Sequence, residues 1–301
     1  MPPSPIVYDR IRRGPTGSLP VPGLLARSLH RGLKLVSTPL RDLPGVLIIG
    51  AEKSGTTSLY RYLISHPLVA TPEKKEIRYL LGPNDLLGRL WYKSHFPLRT
   101  LGDAPSRRRT ITLDATPSYL FDPWSPRRAH EIVPNARILV LLRHPVHRAV
   151  SHYRHWFRMG WEHQSFESAI NRPGEQIDHL RSLLKAEPED LAASIAAFRK
   201  PCYLARGIYS DQLERWLNWF RRDQILAIKS EDFFAEPGSS FDRILRFLEL
   251  PQWSPSQFNP ENEARGFPPA LPSGLFSELV SFFEVQNARL SALIPGIWSW
   301  N

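Results

Sequence analysis

Short apolar runs punctuate the chain at regular intervals, and each has the length of a single buried strand. Val46, Leu47, Ile48 and Ile49 form an uninterrupted apolar stretch, and residues 111–113, 138–142 and 225–228 repeat the feature. Runs of this kind suit parallel strands buried on both faces. Between and after them the spacing changes to three and four. Tyr209, Leu213, Trp216, Leu217 and Phe220 follow a helical period, as do Phe241, Ile244, Leu245 and Leu248. A further helix is predicted over 58–65, ended by His66-Pro67. Strands alternating with helices predict an α/β domain, a P-loop-type three-layer sandwich with a central parallel sheet flanked by helices. Ligands on such sheets bind at the carboxyl ends of the strands.

Length and composition narrow the class. With 301 residues, 42% apolar and 23% charged, the chain has the makeup of a globular protein with a sizeable core. No stretch reaches the ~18 consecutive apolar residues of a membrane span. The first residues show no apolar signal segment, since Pro2, Pro3, Arg10, Arg12 and Arg13 interrupt it. Cys202 stands alone, which rules out an intrachain disulfide or cysteine zinc site and suits the cytoplasm. An Arg-rich, acid-poor start also fits an organelle-targeting segment, the lesser alternative.

The net charge of +10 points to anionic partners. Half of it lies in residues 1–44, where seven basic side chains meet only Asp9 and Asp42. These residues read as a basic extension ahead of a domain over 45–301. Within the extension, Leu25, Leu29, Leu33 and Val36 share one helical face, with Arg27, Arg31 and Lys34 on another. Packing on the domain is the simpler role for such a helix, and residues 24–36 also suit peripheral contact with an anionic membrane.

The first apolar run opens into Gly50-Ala51-Glu52-Lys53-Ser54-Gly55-Thr56-Thr57-Ser58. Two glycines five apart, then hydroxyl residues and a helix, make the layout of a phosphate-cradling loop. A nucleoside-triphosphate loop carries Lys directly after the second Gly. Here Thr56 holds that place and the lysine lies inside the loop as Lys53, so a shorter anion near the 5′ end of a nucleotide is expected.

A second anion site follows the 138–142 run. Arg143 closes the strand, Pro145 suits the first turn of a helix, and Ser151 leans back toward Arg143 from about two turns on. Arg supplies a bidentate fork and Ser a hydroxyl donor. His144, His147, His152, His155 and His163 crowd this stretch without a carboxylate or Cys in a ligand pattern, so a polar helix surface is expected and no metal.

Lys53-Ser54-Gly55-Thr56-Thr57 resembles the 5′-phosphosulfate loop of sulfotransferases that use 3′-phosphoadenylyl sulfate (PAPS). The surroundings are most similar to the heparan-sulfate-type and related bacterial carbohydrate sulfotransferases. The resemblance runs from about Gly45 to Phe267. It implies PAPS as co-substrate, 3′,5′-ADP as product, no metal, and a hydroxyl- or amine-bearing acceptor, a carbohydrate above all. Lys53 is then placed at the bridging oxygen, and Ser54, Gly55, Thr56, Thr57 and Ser58 at the 5′-phosphate. Arg143 and Ser151 match the 3′-phosphate motif, and Arg265, Gly266 and Phe267 the segment that closes over phosphate and adenine.

Pro72-Glu73-Lys74-Lys75-Glu76-Ile77-Arg78-Tyr79 resembles the segment carrying the family's catalytic base, which implies that role for Glu76. Arg78 replaces the family's His. Lys75 and Arg78 lower the carboxyl's pKa while burial raises it, leaving the net sign open. Asp114, in Leu113-Asp114-Ala115-Thr116-Pro117-Ser118-Tyr119, matches a second segment of the acceptor side, with Ala115 where some members carry a substrate-binding Lys. Tyr92, Lys93 and His95 are acceptor-side candidates, and Arg206, Gly207 and Tyr209 resemble another family segment.

Three other classes stay in view. A P-loop kinase or NTPase would use residues 110–114 as its metal-binding strand; the displaced lysine argues against it. A nucleic-acid-binding protein would be driven by net charge alone, with no recognition motif, so no nucleic acid is expected. A pseudo-enzyme would keep the nucleotide and lack turnover.

Overall fold

The computed structural model describes residues 34–82, 85–98, 110–170, 201–259, 271–294 and 300. Strands are β1 Val46–Gly50, β2 Val69–Ala70, β3 Ile111–Ala115, β4 Arg137–Leu142 and β5 Ile225–Lys229. Helices are α1 Thr56–Ile64, α2 Leu86–Lys93, α3 Ser125–Ile132, α4 Pro145–Arg158, α5 Phe166–Ile170, α6 Tyr209–Leu217, α7 Ser230–Ala235, α8 Pro237–Phe247 and α9 Ser273–Leu293. The strands form one sheet in the order β2-β3-β1-β4-β5, every neighbouring pair parallel.

All four apolar runs are strands, each within a residue or two of its expected bounds. The two-residue β2 carries too little pattern to be read from sequence. Helix α1 starts at Thr56, two residues before the apolar periodicity. Its opening turn is set by the left-handed Gly55 rather than by burial of a face.

Alternation along the strands explains the layers. Leu47, Ile49, Ile138, Val140 and Leu142 point to one face and meet Ala129 of α3, Leu213 and Trp216 of α6, and Leu290 of α9. Val46, Ile48, Leu139 and Leu141 point to the other and meet Leu59 and Leu63 of α1 with Phe241, Ile244 and Leu245 of α8. Both faces are therefore covered, as the uninterrupted apolar runs require. A third cluster joins Val146, Ala149 and Tyr153 of α4 to Leu279 and Phe283 of α9.

The sheet order places the functional edge. β1 is flanked by β3 on one side and β4 on the other, so successive crossovers leave it in opposite directions. That divergence opens a crevice at its carboxyl end. Residues just before β1 lie on the domain: Lys34 pairs with Glu73 at 2.7 Å, and the Arg41 guanidinium donates to the carbonyl of Phe96. Residues 24–33 of the expected amphipathic helix lie outside the described residues. Among those described, no helix is long and apolar enough to cross a membrane.

Candidate active site

The loop after β1 is bent by two left-handed residues, Lys53 (φ 69°) and Gly55 (φ 93°). A Cβ on Gly55 would stand 2.6 Å from the Phe234 ring, so both conformation and space demand glycine here. Neighbouring strand ends hold the loop's carbonyls. Arg143 Nη1, beyond β4, donates to Lys53 O at 3.2 Å, and Ser230 Oγ, beyond β5, donates to Ser54 O at 2.7 Å. The Ala51 and Ser54 amides are engaged as well, with Leu141 O and Ala51 O, so the donors left to consider are those of the helix start. α1 opens without a side-chain cap, and first-turn N–H groups have no acceptor inside their own helix. The Ser54 hydroxyl is buried there with no hydrogen-bond partner. An orphaned hydroxyl beside a helix start is a donor set suited to a phosphate or sulfate group.

Lys53 lies half-buried within the fields of Glu52, Arg158, Arg143 and Glu76. Burial chiefly, then Arg158 and Arg143, push its ammonium below the ordinary lysine value, against Glu52 and Glu76. A bound anion would remove that strain. Burial also lowers Arg143, whose main opposing influence is Glu231. The Tyr209 hydroxyl donates to Arg143 O at 2.8 Å and fixes the strand end.

Across the loop stands Glu76. Its carboxylate meets Arg78 Nη2 at 2.7 Å and Lys75 Nζ at 3.4 Å, and Lys75 Nζ also donates to Thr57 Oγ1 at 3.2 Å. Lys75 thus ties the Glu76 segment to α1. Burial pushes the Glu76 carboxyl up, but Lys75 and Arg78 outweigh it and hold it below the usual carboxylate range. Opposing influences that the sequence left undecided are resolved by contact distance.

Not every expected residue gathers here. The loop residues 53–58, Glu76, Arg78 and Arg143 come together. Ser151 is half-buried two turns along α4. Arg265, Gly266 and Phe267 lie outside the described residues. Tyr92, Asp114 and His95, expected on the acceptor side, are instead packed inside. Asp114 is 0% exposed and accepts from Tyr92 OH at 3.0 Å, Tyr119 OH at 2.8 Å and Thr116 Oγ1 at 2.9 Å. Tyr92 stacks on Tyr79, and His95 turns Nδ1 to the Trp91 carbonyl at 2.8 Å. The alternation along β3 turns Asp114 inward, which a motif match does not reveal.

A second buried network, behind the loop, carries Glu52. Its carboxylate accepts from Ser118 Oγ at 2.6 Å and faces Arg206 Nη1 at 3.5 Å and His152 Nε2 at 3.7 Å. Arg148 Nη1 donates to His152 Nδ1 at 3.5 Å, so the imidazole proton sits on Nε2, toward Glu52. Burial raises the Glu52 carboxyl, yet Arg206, His152, Ser118 and Arg148 together bring it down to about 2. Burial drives His152 well below the ordinary imidazole value, keeping the ring neutral. Arg206 also lies over the Phe121 ring at 4.2 Å. The sequence held one hint of this: Arg148 and His152 are an i, i+4 pair on one helix face.

The histidine-rich stretch divides by environment. His144 stacks on His147 and caps α4 by accepting from Val146 N–H, while His152 serves Glu52. Among the described residues no group of three or more His, Cys, Asp or Glu is placed to hold a metal.

A family model described as Sulfotransferase domain matches residues 43–262. A solved sulfotransferase from Alicyclobacillus acidocaldarius superposes with a TM-score of 0.63 at 30% identity, over 84% of this chain and 96% of that one. Heparan sulfate glucosamine 3-O-sulfotransferase 6 of Homo sapiens is 27% identical over 300 residues, 91% of this chain and 80% of that protein. Bifunctional heparan sulfate N-deacetylase/N-sulfotransferase 1 of Caenorhabditis briggsae is 29% identical over 224 residues, 72% of this chain and 24% of that protein. The chain therefore spans about a quarter of the length of that bifunctional relative. A domain match over most of its length, and a bacterial sulfotransferase aligned almost end to end, make this chain a member of the sulfotransferase family.

Proposed function

We propose that this protein transfers a sulfuryl group from PAPS to a hydroxyl or amine of a carbohydrate acceptor, releasing 3′,5′-ADP. The observation that carries the reading is the meeting of Lys53, Arg143 and the orphaned Ser54 hydroxyl with the ionised Glu76 across one strand-end crevice. Bound PAPS would supply the activated sulfuryl group and a nucleotide leaving group. The chain supplies the rest. The amides of the loop, with the Ser54, Thr56, Thr57 and Ser58 hydroxyls, hold the 5′-phosphate end, and Arg143 with Ser151 takes the 3′-phosphate. Lys53, crowded by two arginines, neutralises charge on the departing oxygen, the positioning and electrostatic role that dominates such in-line transfers. Glu76 accepts the proton of the attacking hydroxyl or amine. Its low pKa keeps it ionised at neutral pH, so it is always ready to accept, at some loss of base strength. Arg78, partly exposed beside Glu76, contacts the acceptor.

A glycan acceptor draws support from relatives named for heparan sulfate. Residues 1–44 enter as a basic extension whose stretch 24–36 packs on the domain, peripheral membrane contact being the alternative, and the domain over 45–301 as the catalytic part. Cytoplasmic residence belongs to the same reading, with localisation of the tagged protein deciding between it and an organelle.

Calorimetry without metal should give tight binding of 3′,5′-ADP and indifference to ATP; the reverse pattern overturns the reading in favour of a P-loop kinase. Lys53→Ala should abolish labelled-sulfate transfer. Glu76→Gln should keep 3′,5′-ADP affinity and lose roughly 10²–10⁴-fold in kcat. Binding without transfer to any acceptor of a glycan panel would mark a pseudo-enzyme.

A further inference from the structure

We propose that Asp114 is a positioning residue for the transfer reaction: a buried carboxylate that holds the 75–78 segment in the conformation presenting Glu76 to the acceptor. This rests on the reading of Glu76 as the base.

The segment needs holding. Glu76 (φ 59°) and Arg78 (φ 63°) are both left-handed, a conformation that side chains with a Cβ avoid and that persists only where surroundings over-determine it. The surroundings here are the end of β3 and the turn after it. Glu76 N–H donates to Ala115 O at 3.1 Å, and Ile77 N–H donates to the Asp114 carboxylate. Arg78 N–H reaches Thr116 Oγ1 at 3.4 Å, and Leu80 N–H reaches Tyr119 OH at 3.4 Å. Those two hydroxyls in turn donate to Asp114, at 2.9 Å and 2.8 Å, and Tyr92 OH adds a third donor at 3.0 Å. Two amides of the segment, and that of Leu80 just after it, therefore end on Asp114 or on a hydroxyl that Asp114 orients.

The chemistry calls for a carboxylate. Burial raises the Asp114 carboxyl above its ordinary value against the hydrogen bonds of Tyr119, Thr116, Tyr92 and Ile77. In its ionised form it only accepts, so each hydroxyl turns its proton toward Asp114 and its lone pairs toward the backbone amides. An amide side chain of the same shape would place an NH2 against one of these hydroxyls and force that hydroxyl to accept from it. The hydroxyl proton must then turn away from residue 114, where it either competes with the Arg78 or Leu80 amide for the same side of the oxygen or is buried without an acceptor. Asp114 itself reaches no solvent, so its effect passes through the segment that carries Glu76 and Arg78.

The test compares Asp114→Asn and Thr116→Val with Glu76→Gln and wild type, on the full-length protein. Asp114→Asn should keep 3′,5′-ADP affinity within a few-fold, because Arg143 and Ser230 anchor the nucleotide loop from other strand ends and Lys75 touches it only at the Thr57 hydroxyl. Its kcat should fall by ~10–100-fold, the scale of a misplaced catalytic group. The acid limb of its kcat–pH profile should move to higher pH. Lys75 and Arg78, on the segment itself, hold the Glu76 carboxyl low in wild type, while Glu52 and Lys53 of the loop and His155 of α4 face it from across the crevice. A relaxed segment takes Arg78 away from Glu76, and the proton binds more tightly. Thr116→Val, which keeps the side-chain size and removes the Arg78 relay together with one donor to Asp114, should shift the limb the same way by a smaller amount. It also decides the matter if Asp114→Asn does not fold. An unmoved acid limb in the folded variants, or a fall in kcat that tracks lost 3′,5′-ADP affinity, overturns the proposal while leaving Glu76 as base. Full activity of Glu76→Gln overturns both.

Discussion

Replacing Glu52 by Gln isolates the buried network behind the loop that follows β1. In the native protein the Glu52 carboxyl is drawn from its ordinary 4.5 to about 2 by Arg206, His152, Ser118 and Arg148, in spite of burial. At about 1.4 kcal/mol per tenfold change in proton affinity, the ionised carboxylate contributes roughly 3 kcal/mol to folding at neutral pH. Its side chain keeps 26% of its exposure, so solvent takes part of that, and about 2–3 kcal/mol is the working figure. Gln retains the Ser118 hydrogen bond in one orientation but leaves the Arg206 and Arg148 guanidinium groups without their carboxylate. Breaking a buried pair from one side costs on the order of 3–5 kcal/mol, which agrees. The expected drop in Tm is about 4–12 °C at pH 7, using ~2–4 °C per kcal/mol for a chain approaching this size. The pH dependence carries the sharper sign. A carboxyl whose folded pKa lies below its unfolded value stabilises above the unfolded value and loses that stabilisation as pH falls through the folded one. Wild type should therefore lose its advantage over Glu52→Gln between about pH 4.5 and 2. Differential scanning calorimetry across that range measures both curves. Equal Tm values at pH 7, or a gap that does not close on acidification, would show that the carboxylate's pairing is not what stabilises this region.

Two further outcomes follow from the loop and the base. Gly55→Ala forces a Cβ into a left-handed position and against Phe234 at 2.6 Å. A cost on the order of 1–3 kcal/mol from the backbone alone is expected, with 3′,5′-ADP affinity lost in step, by thermal melting and calorimetric titration. Arg78→Met removes a cation 2.7 Å from Glu76, so the carboxyl binds its proton more tightly and the acid limb of the kcat–pH profile rises. Activity near pH 8 should then suffer less than activity near pH 5; an unchanged limb would place Glu76 outside the titrating step.

The residues that face the crevice and those that support it differ in how visible they are in sequence. Lys53, Ser54, Gly55 and Arg143 stand next to strand ends in unbroken chain order, so a local pattern finds them. Asp114 also stands at a strand end, and the same logic assigns it to the acceptor. Its side chain is buried instead, because β3 turns it under the sheet edge toward Tyr92 and Tyr119. Glu52 shows the converse. It sits beside the loop lysine in an unremarkable place, and its partners come from positions 118, 148, 152 and 206.

By itself the sequence determined four of the five strands, the parallel sheet and the glycine-bearing turn between β1 and α1, because apolar runs and glycine spacing act over a few residues. Only the tertiary structure decided which way the Glu76 carboxyl is shifted, that Glu52 is paired with buried Arg206 and His152, and that Asp114 is buried among hydroxyl donors. Those outcomes depend on burial and on distances of 3–4 Å between residues far apart in the chain. Electrostatic strength varies steeply with both, and a linear pattern encodes neither.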